Sequence, residues 1–497
     1  MTMDYAAFVD RKLTRSPATG MATVPALLPA LKPHQRDLVA WALRRGRAAI
    51  FADTGLGKML MELVWSAEVA RHTGGDVLIL APLAVAQQIE AEGARFGIPV
   101  TRCHDAADVR PGINVTNYDR IHRFDAARFV AVVLDESGCI KHHDTKTLRV
   151  LLDAFAATPW KLCGSATPAP NDWTELGTHA EFLGVCTRAE MLAEFFCHDG
   201  GETQVWRLKG HARAAFWRFV ATWAALVRRP SDLGHDDAEY ALPPLDVREH
   251  ILAADAGTVK ASGMLFATEA RSLMERRNAR KASKTARVDA CVLHIKSDWS
   301  KMAADGGVIN GLDEGAREDT QGEGRGVSLD PWLIWCDLNA EQDALAAAFG
   351  DLAFSVQGSN STEEKEDAIL RWIAGERPVM ISKPSIMGWG LNFQHCARTA
   401  FVGVTDSWEA YYQAVRRFWR FGQKRPVEAH IFASEVEGAV VANLRRKEEA
   451  ARGMAESLSA ETRDAVRAEV RGQQRVTNGY APGLRLMVPS WLRTEAE

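Results

Sequence analysis

RAAIFADTGLGKM, residues 47–59, decides the fold. Its first half is a short apolar run of the kind a buried parallel strand shows, and the glycine-rich turn after it opens a helical stretch. In that context Gly55 and Gly57 let backbone N–H groups face a phosphate chain, while Lys58 supplies a positive charge for β and γ phosphates. The loop Thr54-Gly55-Leu56-Gly57-Lys58-Met59 is therefore the candidate nucleotide-binding segment. A Gly-x-Gly-Lys turn alone also occurs as a plain turn, so the rest of the chain has to decide.

Working outward, short apolar runs alternate with helical stretches, which is the pattern of parallel sheets covered by helices. One series is RAAIFAD (47–53), DVLILAP (76–82), INVTNYD (113–119), FVAVVLDES (129–137) and WKLCGSAT (160–167). A second is PWLIWCD (331–337), AFSVQGS (353–359), PVMISKP (378–384), RTAFVGVT (398–405) and VEAHIFAS (427–434). Two α/β lobes are expected, over 31–240 and 331–450. The first carries a helical insert at about 175–230, where Trp206, Trp217 and Trp223 recur at helical spacing and read as core. Pro243-Pro244 suggests a hinge, and 241–330 reads as linker helices with a mobile Gly- and acid-rich loop at 304–328. Residues 1–30 form an N-terminal extension. The charged stretch from 438 reads as a solvated helix packed back on a lobe, and 451–497 as a helical tail.

The chain has 497 residues, which at roughly 150 per domain leaves room for several cores. It is 47% hydrophobic and 25% charged, close to a globular average. A net charge of −4 argues against a protein that simply coats nucleic acid, so any such contact needs a local basic patch. The eight cysteines include no C-x-x-C pair and read as buried apolar residues in a reducing compartment. The N-terminus lacks an apolar secretion segment, and VLILAPLAVA (77–86) is too short to span a bilayer. A cytoplasmic protein with no membrane partner is expected.

Asp135 and Glu136 close the FVAVVLDES strand at the carboxyl edge of a parallel sheet, where ligands bind. Asp135 is suited to holding Mg²⁺, and Glu136 to orienting and deprotonating an attacking water. An isolated Asp-Glu is more often solvated loop; its place downstream of a phosphate loop is what distinguishes it. Gln35, upstream of that loop, carries a carboxamide able to pair with the N6 and N7 edges of adenine, or is an exposed helix residue. Arg276, Arg277, Arg280, Lys281, Lys284 and Arg287 recur at helical spacing in ERRNARKASKTAR (275–287), either a stripe along a DNA backbone or a solvated helix face. Lys141, His142, His143 and Lys146 form a second basic candidate without a metal-ligand pattern.

Taken in order, LKPHQ, ADTGLGK, VLILAP, VTNYD, VVLDESGCIK, GSATPAPNDWTEL, MISKPSIMGWGLNF and QAVRRFWRFGQ closely resemble the motif series of superfamily two helicases. The resemblance covers roughly residues 30–450 and is nearest to the Swi/Snf-type double-stranded DNA translocases, in the compact form found in bacteriophages and bacteria. It implies two tandem RecA-like lobes with ATP and Mg²⁺ between them. It makes Arg417 and Arg420 the arginine fingers, set at i and i+3 on a helix so that both guanidinium groups point one way, with Gln413, Gly422 and Gln423 completing their motif. It assigns Gln413 and Gly390 to the nucleotide, and coupling between nucleotide and nucleic acid to Ser165, Thr167 and Asn392, with Asn171, Glu175 and Gly388 continuing those motifs. The departure is Met59, which stands where the pattern carries Ser or Thr to ligate Mg²⁺.

The expected activity is ATP hydrolysis driving movement along double-stranded DNA. The alternatives are a strand-separating helicase acting on DNA or RNA, and an ATP-gated DNA clamp with little turnover.

Overall fold

The computed structural model describes residues 18–82, 85–140, 143–169, 172–199, 202–253, 278, 280–304, 329–387, 392–403, 407–435 and 438–471. Two large parallel sheets organise it. The first holds β1 (Arg47–Ala52), β2 (Asp76–Ala81), β3 (Val100–Arg102), β4 (Ile113–Asn117), β5 (Phe129–Leu134), β6 (Trp160–Gly164) and β9 (Ala224–Val227), in the order β3-β4-β2-β5-β6-β1-β9. A separate antiparallel hairpin, β7 (Phe196–Asp199) and β8 (Glu202–Leu208), lies outside it. The second sheet holds β10 (Leu245–Leu252), β11 (Trp332–Cys336), β12 (Ala353–Ser355), β13 (Val379–Ser382), β14 (Arg398–Val402) and β15 (Val427–Ser434), in the order β10-β15-β14-β11-β13-β12. Every pairing in both sheets is parallel. This is the α/β architecture of two RecA-like lobes.

All ten apolar runs read from the sequence contain a strand, because a parallel sheet buried on both faces selects near-continuous Val, Ile, Leu and Ala. The residues of β1, β2 and β5 beyond the first or second position are buried without alternation. Three regions depart from expectation. The stretch at 175–230 is not wholly helical: it contains the β7–β8 hairpin, and β9 joins the main sheet beside β1. Trp217 and Trp223 are core, whereas Trp206 is half-buried and lines an open cleft. β10, inside the stretch read as linker, pairs with β15 over its whole length.

The long helix Gly438–Val470 packs on both lobes rather than one. Val441 and Leu444 enter the core under the second sheet, and Ala465, Val466 and Val470 enter the core of the first. Arg467 and Arg471 donate to the carbonyls of Ser231 and Leu233, fixing the far end of this strap. Of the cysteines, Cys139 is exposed and Cys186 and Cys197 are intermediate; the other five are buried. Among the described residues no helix is long and apolar enough to cross a membrane.

Candidate nucleotide site

β5, β6 and β1 are neighbours in the first sheet, so the loops leaving their carboxyl ends converge. They carry Asp135–Glu136, Ser165–Thr167 and the glycine-rich loop. Gly55 (φ +94°) and Gly57 (φ +79°) occupy left-handed backbone conformations that side chains resist, which is why this turn needs glycine at both positions. Gly57 is the N-cap of the helix Lys58–Thr73, and no side chain caps that helix. Its first N–H groups face outward with the positive end of a sixteen-residue dipole behind them. Lys58 Nζ donates to the Ala52 carbonyl at 2.8 Å, folded back on its own strand end. Met59 is half-buried against the core of the first lobe and offers no oxygen.

Gln35 departs from its predicted role. Its Oε1 accepts from the Lys32 N–H at 2.9 Å, capping the helix Pro33–Arg45, and its Nε2 donates to the Leu56 carbonyl at 2.9 Å. A Cβ on Gly57 would overlap that carboxamide. Gln35 thus braces the phosphate loop, and its amide is spent on the backbone rather than held toward a base.

The acidic pair sits on a second buried acid that the motifs did not signal. Glu62, on the helix Lys58–Thr73, is 2% exposed, and neither carboxylate oxygen has a hydrogen-bond partner apart from its contact with Asp135. Gly164, at the end of β6, makes the room: a Cβ there would overlap Glu62 Oε1. Burial, then the charge of Asp135, pushes the Glu62 carboxyl well above the carboxylate range. Burial and the neighbouring Glu136 raise Asp135 in the same direction. Glu136 itself has φ +52°, a backbone strain held by its surroundings. The Tyr118 hydroxyl donates to the Asp135 carbonyl at 2.8 Å, and Ser137 Oγ lies 3.2 Å from His179 Nε2, whose pKa burial lowers to about 4.

From the second lobe, Arg417 and Arg420 come within electrostatic reach of this acid cluster. Glu136 is the leading favourable charge on both arginines, and Arg417 in turn opposes the rise at Asp135. Burial lowers Arg417 to about 10, so it stays cationic at neutral pH. The helix Trp408–Val415 ends before them, so Arg417 and Arg420 stand on successive turns rather than on one helical face. Gln413 fastens one of them: its Oε1 accepts from Arg417 Nη2 at 2.8 Å, while its Nε2 has no hydrogen-bond partner. Gly422 (φ +91°) and Gln423 close the motif for a packing reason, since Gln423 Nε2 donates to the Cys396 carbonyl at 3.0 Å.

Sequence reasoning missed the direct tie between lobes. Asp53, at the mouth of the phosphate loop, accepts from the Tyr412 hydroxyl at 3.0 Å and pairs with Arg416 at 3.2 Å. Arg416 also lies over Trp419. Phe421 presses on Gly55, where a Cβ would come within 3.0 Å of it. The first arginine of RRFWR was the available signal for this contact.

The remaining predicted residues divide. Ser165 is buried and its hydroxyl accepts from the Thr167 N–H at 3.1 Å; Asn392 is exposed. Lys281 is exposed and Lys284 half-buried, as a DNA-facing stripe allows. Arg287 is a correction: its side chain is wholly buried against Glu341 at 2.8 Å, so it cannot reach a phosphate backbone. Arg280 pairs with Asp337 at 2.5 Å and turns the same way, into the lobe. Arg276, Arg277, Gly388, Gly390, Asn171, Lys141 and His142 lie outside the described residues. A cleft of about 310 Å³, lined by Trp173, Trp206, Trp217, Arg207 and Arg213, opens just after the Ser165–Thr167 segment.

The donor set fits ATP with a magnesium ion. An uncapped helix N-terminus and Lys58 suit phosphates, and clustered carboxylate oxygens suit a hard cation even though Met59 does not. Compared with known proteins, the chain matches no family model and no curated protein.

Proposed function

We propose that this chain hydrolyses ATP between its two lobes and uses the cycle to move along double-stranded DNA. The observation that carries the reading is that Arg417 and Arg420 of the second lobe take their leading favourable charge from Glu136 of the first, beside a glycine loop that opens a helix. The amides at Gly57 and Lys58 bind the phosphates, Lys58 exchanging the Ala52 carbonyl for a phosphate oxygen. Glu136 orients water and takes its proton, and the two arginines neutralise charge that develops on the transferred phosphoryl group. Asp135 would hold a Mg²⁺ ion, which would supply charge neutralisation on the phosphates. The Asp53–Arg416–Tyr412 contact makes lobe closure sensitive to the phosphate loop, which is what a stepping motor requires. Arg207 and Arg213 of the open cleft offer cations to a phosphate backbone.

The test is ATP turnover by the full chain with duplex DNA, single strands and RNA in parallel. Duplex DNA is expected to stimulate turnover, with stimulation falling steeply as salt rises because the contacts are to phosphates; Glu136→Gln is the inactive control. Efficient unwinding of a forked duplex, or stimulation by RNA alone, would move the assignment to a strand-separating helicase.

Met59 favours a second reading, the ATP-gated clamp with slow turnover. A thioether is a poor ligand for a hard cation, so Asp135 and the ATP phosphates must hold it through waters. Met59→Thr is therefore expected to lower the Mg²⁺ concentration for half-maximal turnover and to raise kcat. Brisk wild-type turnover at low Mg²⁺, unchanged in Met59→Thr, would show that the missing hydroxyl is irrelevant.

A further inference from the structure

Three histidines outside the nucleotide site converge in the second lobe. His250 lies on the edge strand β10, His430 on its neighbour β15, and His294 on the helix Lys284–Ala304 that covers this face of the sheet. Each offers one nitrogen, and the three nitrogens lie within 4.8 Å of one another. His250 Nε2 and His430 Nδ1 are 3.0 Å apart, and the rings rest on Phe432 and Trp332. We propose that His250, His294 and His430 bind a divalent transition-metal ion of the zinc class, tying the edge strand and the covering helix to the centre of the second lobe.

The argument is one of unsatisfied nitrogen. His430 is 1% exposed, and its Nε2 has no hydrogen-bond partner. Whichever way the proton lies in the His250–His430 contact, the protein leaves that nitrogen stranded, a cost folded proteins rarely retain without a use. Metal binding fixes that nitrogen as a donor, one short movement from a partner. With the ion on His430 Nδ1 and His250 Nε2, the His430 Nε2–H becomes a donor, and Glu428 Oε2 stands 3.7 Å away on the same strand. A carboxylate receiving the second ring N–H of a ligating histidine is the usual outer support of such sites. The spacing agrees, since two nitrogens about 2.0–2.1 Å from a tetrahedral ion sit about 3.3 Å apart. The 3.0 Å pair is already close to that, and the widest pair needs to contract by about 1.5 Å to reach it.

The donor chemistry selects the ion. Neutral imidazoles suit zinc, copper and nickel rather than magnesium or calcium. Three protein ligands leave one position for water, and the cluster contains none of the residues assigned above to nucleotide.

The experiment is calorimetric titration of the full-length, chelator-stripped protein with Zn²⁺, without nucleotide or Mg²⁺, followed by Co²⁺ to read the visible absorption of a tetrahedral site. One ion per chain is expected, with a raised melting temperature. His294→Gln and His250→Asn, both at half-exposed positions, should each weaken binding at least 10-fold, and Glu428→Gln by about 10- to 100-fold. Circular dichroism before titration shows that each variant is folded, and two independent ligand variants guard against loss of one. Lys58→Ala and Cys139→Ser should bind as wild type does. No stoichiometric binding, binding unchanged in both histidine variants, or loss confined to Cys139→Ser would each overturn the proposal.

Discussion

Arg420→Ala is expected to lower the rate of ATP hydrolysis by on the order of 10³ while changing nucleotide affinity by no more than a few fold. Arg420 stands on the second lobe and takes its main favourable charge from Glu136 on the first. In the proposed mechanism its target is charge that exists only as the phosphoryl group transfers, so removing it takes little from the ground state. Arg416→Ala provides the contrast. That guanidinium is already engaged with Asp53 in the free protein, so its loss acts on lobe association before chemistry begins. Single-turnover hydrolysis with a parallel measurement of nucleotide binding separates the two. An Arg420→Ala protein that loses affinity but keeps its single-turnover rate would make Arg420 a binding group and leave the acid cluster without its transition-state partner. Arg420→Lys sharpens the result, because a point charge without the planar fork should recover only part of the rate.

The parts of this site that were legible in the sequence are those set by local backbone chemistry. Gly55 and Gly57 declare a left-handed turn, and an Asp-Glu at the end of VAVVL declares the carboxyl edge of a buried strand. What was not legible depends on contacts between distant segments. β9 lies inside AAFWRFVATWAALV, an apolar run that periodicity cannot divide into helix and strand. β10 carries Asp246, Arg248 and Glu249 because it is an edge strand with one open side, and that polarity imitates a linker. Glu62 is a lone acid in LMELVW, and only the empty space above Gly164, 102 positions away, explains how it is buried. A carboxamide's partner is decided by geometry: Gln35 bonds the Lys32 and Leu56 backbone, and Gln413 Oε1 holds Arg417.

Arg287→Ala is expected to destabilise the second lobe by about 3–5 kcal/mol, the cost of leaving a buried charge without its partner. As one of six basic residues at helical spacing, Arg287 reads as a phosphate contact, but the fold makes it a structural pin. Its Nη2 donates to Glu341 Oε1 at 2.8 Å and its Nε to Ser283 Oγ at 2.9 Å. Glu341 Oε2 meanwhile accepts from the Asp337 and Leu338 N–H groups, starting the helix Asn339–Phe349. Gly403 (φ +86°) lies over the pair, where a Cβ would come within 2.7 Å of both side chains. Truncating the arginine therefore exposes neither charge to water; it strands Glu341 in a closed space. The measurement is denaturant unfolding beside DNA binding, with Lys281→Ala as the exposed comparison, expected within about 0.5 kcal/mol of wild type. Pairing Arg287→Met with Glu341→Gln removes both charges but keeps an acceptor for the helix amides, so most of the lost stability should return. If Arg287→Ala instead melts like wild type and binds DNA more weakly, the guanidinium leaves its pocket in solution and the basic stripe regains its place as a DNA contact.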